Sequence, residues 1–239
     1  PDYDFASHAH GPDEAFEALT RSDAAIGALL DAAGGPDEFL QRYAVVLCSD
    51  HGQTHVDRHV RLETPFADLD DVLVTASNRA GMVYRLGDGA PDARSLAERL
   101  DGEESAETVL FLEGAEAIVR RDGEELRFAP DADAWTSTGD EGLLGYPGGL
   151  ERAWAALNNP SAGEVIVSAT PGFEFADLAG RHHSGGGSHG SLRRGDSEVP
   201  MLTIGIDAQP QSIVEVAPAV LQHFGVVPPA YARTLTRAA

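Results

Sequence analysis

The chain has 239 residues, 42% of them hydrophobic, and carries a formal charge of −22. Its length suits one large α/β domain, or a domain with a subdomain, and no apolar run approaches the ~20 residues that a membrane helix needs. All 17 basic residues are arginine, so a basic nucleic-acid footprint is excluded, and a phosphate-bearing substrate would need positive charge supplied locally, as by metal ions.

Taken in order, Pro1-Asp2-Tyr3-Asp4 reads as the end of a strand already under way, so further chain is expected before Pro1. Asp4 to His10 follows as a loop closed by Gly11 and Pro12. A helix is predicted from about residue 12 or 13 to 33. Pro12 and Asp13-Glu14 suit a helix N-terminus. Phe16, Leu19, Ile26, Leu29, Leu30 and Ala33 line one face, and Gly34-Gly35-Pro36 stops it. Tyr43 to Cys48 is apolar and β-branched, which predicts a buried central strand. Cys48, the single cysteine, is read there as a small core residue; it excludes an intrachain disulfide and leaves the redox compartment open. The strand ends in Ser49-Asp50-His51-Gly52. Open α/β sheets bind ligands at the carboxyl ends of their strands, and Asp beside His offers a hard oxygen and an imidazole, a pairing suited to zinc or a similar divalent ion.

Residues 53 to about 145 are less regular and read as an insert beside the main sheet. Short strands are predicted over 71–77 and 81–86 with Asn78 between them, then a helix over 91–100 and a strand over 107–112. Segments 117–121 and 124–128 flank Asp122-Gly123, a hairpin signature, and 131–146 is polar and glycine-rich. The main sheet resumes with a helix over 150–157, a strand over 163–169, a loop over 181–192 rich in glycine and histidine, and a strand over 199–205. A last helix is entered through Ile213–Pro218 and ended by Gly225. The expected fold class is α/β, a central mixed, mostly parallel sheet between helix layers. Residues 1–62 and 146–239 form its metal-binding core and 63–145 a small insert subdomain.

Histidine placement carries the functional reading. Eight of the nine histidines fall in three short clusters: His8 and His10; His51, His55 and His59; His182, His183 and His189. Core histidines would instead be scattered among apolar positions, so the clustering points to metal. His55 and His59 follow His51 at intervals of four, as on a helical metal face, but Gly52 argues against that helix and they are read as solvent-facing. Asn78 and Arg79 are read as a turn, and Asp23 as helix surface or cap.

Asp4-xxx-His8-xx-Gly11-Pro12, a helix with Asp23 and Ile26, Ser49-Asp50-His51-Gly52 and Gly187-Ser188-His189-Gly190 together resemble the later half of the alkaline phosphatase superfamily, in particular its type I phosphodiesterase/nucleotide pyrophosphatase branch. Val216-Ala-Pro218 to Phe224-Gly225 and Pro228 is similar to that superfamily's last helix. The resemblance covers residues 1–52 and about 150–230. It implies an alkaline phosphatase-like fold and a site with two divalent metal ions, zinc or alternatively manganese. Asp4, His8 and His189 would hold the first ion, and Asp50 and His51 part of the second. It implies hydrolysis of a phosphodiester or pyrophosphate bond in a small phosphate ester or nucleotide. The family's nucleophile and a further aspartate ligand precede the matched segment; no residue of 1–239 takes those roles, and the nucleophile is expected N-terminal to Pro1. Other superfamily reactions stay open, on phosphomonoesters, phosphonates or phosphosugars, as does a non-catalytic remnant that binds metal without a nucleophile.

Overall fold

A computed structural model gives residues 3–132 and 134–229 a mixed α/β architecture. Helices α1 (Tyr3–His10), α2 (Phe16–Ala32) and α3 (Pro36–Leu40) precede strands β1 (Val45–Cys48), β2 (Thr54–Val60), β3 (Val72–Ser77) and β4 (Ala80–Arg85). Helix α4 (Ala93–Glu98) leads to β5 (Ala106–Glu113), β6 (Glu116–Arg121), β7 (Glu124–Asp131) and β8 (Ala134–Gly139). Then come α5 (Gly149–Leu157), β9 (Val165–Ala169), β10 (Gly172–Phe175), β11 (Gly186–Ser188), α6 (Arg194–Ser197), β12 (Met201–Ile204) and α7 (Val216–His223). The chain forms two units. The larger comprises Asp4–Ala15 and Gln53–Ser197; the smaller comprises Tyr3, Phe16–Gly52 and the described residues from Glu198 onward.

In the larger unit a seven-stranded sheet runs β3-β4-β9-β5-β6-β7-β8. Its β6–β7 hairpin turns at Asp122 and Gly123, whose φ values of 52° and 81° are the left-handed pair that a two-residue hairpin requires. Alternate residues of these strands feed two buried clusters. One gathers Val83, Leu96, Phe111, Ile118, Val165 and Phe175; the other gathers Leu126, Phe128, Leu143, Ala153 and Leu157. A second sheet has the order β10-β2-β11. The smaller unit holds α2, α3, α7 and the antiparallel pair β1–β12.

The α/β class agrees with the sequence reading, but the strand directions differ. Among the described residues β2–β10 is the one parallel pairing and the other ladders are antiparallel. The reason is local: β3–β4, β5–β6 and β6–β7 are joined by tight turns, which can link only antiparallel neighbours. Strand β9, expected in the main sheet, lies between β4 and β5. Strand β1 is half-covered rather than buried, with Leu47 and Cys48 exposed, because β12 is its one neighbour in a two-stranded sheet.

Candidate metal centre

Residues 4–10, expected as a loop, are helical. Asp4 lies in the first turn and His8 and His10 in the last, which suits the helix dipole, and no glycine or proline interrupts the run before Gly11. The helix changes the meaning of the Asp4/His8 spacing. Residues four apart lie on one helix face, and Asp4 Oδ1 is 3.5 Å from His8 Nε2. On the other side of the ring, His8 Nδ1 is 2.8 Å from the Gly187 carbonyl oxygen. A carbonyl can only accept, so Nδ1 carries the proton and Nε2 presents its lone pair toward Asp4.

Strand β11 brings the third candidate ligand. It pairs with β2 in the register Gly186↔Val56, Gly187↔His55 and Ser188↔Thr54, and His189 follows it directly. Helix α1 and β11 approach so closely that a Cβ on Gly186 would lie 2.1 Å from the His8 carbonyl oxygen, and one on Gly187 would lie 2.6 Å from Ser7 Oγ. Side chains at these positions would push the two segments apart. As folded, one ligand atom each from Asp4, His8 and His189 lie within 4.8 Å of one another. Gln53 Nε2 donates to Asp4 Oδ1, orienting the carboxylate.

The donor set fits a divalent metal. One carboxylate oxygen and two imidazole nitrogens suit zinc, whose tetrahedral bonds of about 2.0–2.2 Å place ligand atoms roughly 3.4 Å apart, close to the Asp4–His8 separation. Three protein ligands leave a fourth position open, the pattern of catalytic rather than structural sites.

Asp50 and His51 belong to the smaller unit, just after β1. There His51 Nε2 is 3.6 Å from Asp50 Oδ1, His51 Nδ1 is 3.0 Å from the Gly52 carbonyl oxygen, and Ser49 Oγ donates to the His51 carbonyl at 2.7 Å. The arrangement repeats that of Asp4 and His8, with Nδ1–H anchored on a backbone carbonyl and Nε2 facing a carboxylate.

The remaining histidines divide by environment. His55 and His59 are exposed on β2, as the sequence reading has them. His55 pairs with Asp57 at 2.9 Å, and His59 stacks on His182 with ring centroids 3.5 Å apart. His183 is different. Its Nδ1 is 3.1 Å from Glu174 Oε2, its backbone N–H donates to Glu174 Oε1, and its ring centroid is 4.0 Å from that of His8. Glu174 is fully buried in β10. Sequence reasoning missed Glu174, because β10 is a four-residue strand with no periodic signal, and it left Asn78 and Arg79 as a plain turn. In the structure Asn78 Nδ2 is 3.3 Å from His189 Nε2, and the Arg79 N–H donates to the His189 carbonyl at 2.8 Å. A cleft of about 550 Å³ on the same unit is lined by Thr75, Ser77, Met82, Leu178 and Arg181 and by none of the three ligands.

Comparison with known proteins follows the same residues. The family model described as type I phosphodiesterase / nucleotide pyrophosphatase matches residues 1–192, a span that holds all five candidate ligands. Among solved structures, the phosphonoacetate hydrolase of Sinorhizobium meliloti, determined with phosphonoformate, aligns with a TM-score of 0.53 and 17% identity, covering 99% of this chain and 50% of that one. The chain therefore spans about half the length of this relative, and at that identity the likeness speaks for the alkaline phosphatase-like fold. Among curated proteins none gives a match.

Proposed function

The chain belongs to the type I phosphodiesterase/nucleotide pyrophosphatase family, and from that membership we propose that it serves a metal-dependent hydrolase cleaving a phosphodiester or pyrophosphate bond in a small phosphate ester or nucleotide. The observation that carries the reading is the convergence of Asp4, His8 and His189, from two segments far apart in sequence, on one small volume. These three would hold one divalent ion, zinc before manganese given two imidazoles, and Asp50 and His51 would supply part of the shell of a second. Bound there, such ions neutralise phosphoryl charge and act as Lewis acids toward phosphoryl oxygens.

The chain's own residues do the holding. Gly187 fixes the His8 ring through Nδ1–H, Gln53 turns the Asp4 carboxylate, and Gly52 fixes His51 in the same manner as Gly187 fixes His8. Metal charge matters here because the chain is strongly acidic and has no lysine, so a substrate anion meets a repulsive long-range field.

The test is metal content together with turnover of bis-p-nitrophenyl phosphate and p-nitrophenyl phosphate by the intact gene product, beside its Asp50→Ala and His189→Ala variants. The expected result is about two zinc per chain, preference for the diester, loss of one ion in each variant and loss of turnover in both. A second reading, phosphonate hydrolysis, draws on the phosphonoacetate hydrolase likeness; turnover of phosphonoacetate but not of the diester would favour it. Metal without turnover of any of the three would favour a non-catalytic metal-binding protein, and absence of metal after chelator-free purification would sink the ligand assignment.

A further inference from the structure

Glu174, in β10, is fully buried. A carboxylate taken out of water is costly unless its oxygens are bonded, and both oxygens of Glu174 go to one residue. Oε1 accepts the backbone N–H of His183, and Oε2 lies 3.1 Å from His183 Nδ1. A carboxylate can only accept, so Nδ1 carries the proton toward it. The two bonds tie β10 to the segment that leads into β11. Yet the His183 side chain remains 34% exposed, and an imidazole within reach of water needs no buried carboxylate to satisfy it.

The ring that Glu174 fixes packs on His8, with centroids 4.0 Å and planes 32° apart, which is van der Waals contact. Beyond His183 the chain turns tightly. The Gly186 N–H donates to the His183 carbonyl at 2.7 Å, and the Gly185 N–H, at a φ of 91°, donates to the Val56 carbonyl at 2.7 Å. Gly187 then presents its carbonyl to His8 Nδ1. One five-residue segment therefore meets the His8 ring twice, with an imidazole at residue 183 and a carbonyl at residue 187. The hydrogen bond fixes one atom of the ring and leaves it free to tilt about that atom. Packing against the ring removes this freedom.

We infer that His183, held by Glu174, is a positioning residue for His8: its ring packs against the His8 ring and keeps Nε2 turned toward Asp4 Oδ1, 3.5 Å away. The inference rests on reading His8 as a metal ligand. Loss of a partner that orients a ligand ring typically weakens metal binding about 10- to 100-fold.

The test uses the full chain and zinc alone as probe. Two variants separate the ring from its nitrogen. His183→Asn keeps a side-chain N–H for Glu174 and has no ring to set against His8. His183→Phe keeps a ring and has no donor for the buried carboxylate. Urea denaturation of zinc-free protein reads the fold, and chelator competition reads zinc affinity. His183→Asn is expected to keep the wild-type urea midpoint and to bind zinc about 10- to 100-fold more weakly. His183→Phe is expected to lower the midpoint, since it strips a buried acceptor of its donor, and yet to bind zinc more tightly than His183→Asn. Glu174→Gln is expected to weaken zinc binding in the wild-type background but not in His183→Asn, because its effect passes through the ring; an equal loss in both backgrounds overturns the inference. So does wild-type affinity in His183→Asn, or a His183→Phe affinity no better than that of His183→Asn, which would make a nitrogen of His183 the group in use. A zinc-free midpoint that falls in His183→Asn along with affinity assigns His183 to the fold and overturns it too. If wild type binds zinc and His8→Ala does not, these outcomes refute the role of His183 alone; if wild type binds no zinc, the ligand reading has failed and the inference falls with it.

Discussion

The two units cover their apolar residues to very different extents. In the larger, Val83, Phe111, Ile118 and Val165 are all fully buried on strands that have neighbours on both sides. In the smaller, α2 has an apolar face of similar quality, yet Ala18 is its buried residue, and Phe16, Leu19, Ile26 and Leu29 are exposed. Leu47, Leu202 and Ile204 on the β1–β12 pair are exposed as well. The difference teaches that a periodic apolar pattern reports a face able to be buried, whereas burial itself depends on how many layers the fold lays against that face. It also separates the two candidate ligand sets. Asp4, His8 and His189 stand on a unit with a closed core, and Asp50 and His51 stand at the end of a strand with one neighbour.

The sharpest probe of this contrast is truncation. Phe111→Ala should cost about 3–5 kcal/mol through lost burial and a residual cavity, while Leu29→Ala, at a side chain 58% exposed, should stay within roughly 0.5 kcal/mol. Urea denaturation of both variants checks the pair, and equal losses would break the comparison. Next in size is zinc. At about 100 times its dissociation constant, an ion that binds only folded protein stabilises it by about 2.7 kcal/mol; this shift in the thermal midpoint should vanish in His8→Ala and survive in Asp50→Ala. Smaller again is Gly123→Ala, which puts a side chain at φ 81° in the β6–β7 hairpin and should cost about 1–2 kcal/mol, read from the same denaturation curves.

The smallest effect is on acidification. Hydrogen bonds from Arg94 and then Arg127 hold the Glu113 carboxyl at about 2, against an ordinary 4.5. A depressed carboxylate contributes stability that is fully present above its unfolded value and lost as pH falls through its folded one. The gap between wild type and Glu113→Gln should therefore be constant above pH 4.5 and close as pH drops toward 2. A gap that persisted at the acid end would assign the difference to packing. Because Glu113 is on the surface, the gap should also shrink in high salt.

The β6–β7 hairpin was legible in the sequence because every signal for it is local: alternation on both arms and Asp-Gly between them. The candidate ligands were legible as a motif, but not their setting. Asp4 and His8 read as loop residues because seven residues between a chain end and a Gly-Pro pair give little periodicity, and their helix is held in part by contacts with β11. Glu174 and Asn78 were illegible for a stricter reason. Each meets its histidine only through folding, and in the case of Asn78 that histidine is 111 residues away. The strand directions were misjudged because apolar runs say nothing of which neighbour a strand will choose.

His8 takes its anchor from Gly187, 179 positions later, whereas His51 takes its own from the very next residue. During synthesis the His51 anchor is on hand as soon as that segment emerges, but His8 must wait for most of the chain. A nascent chain thus acquires the hold on His8 only once β11 has been made.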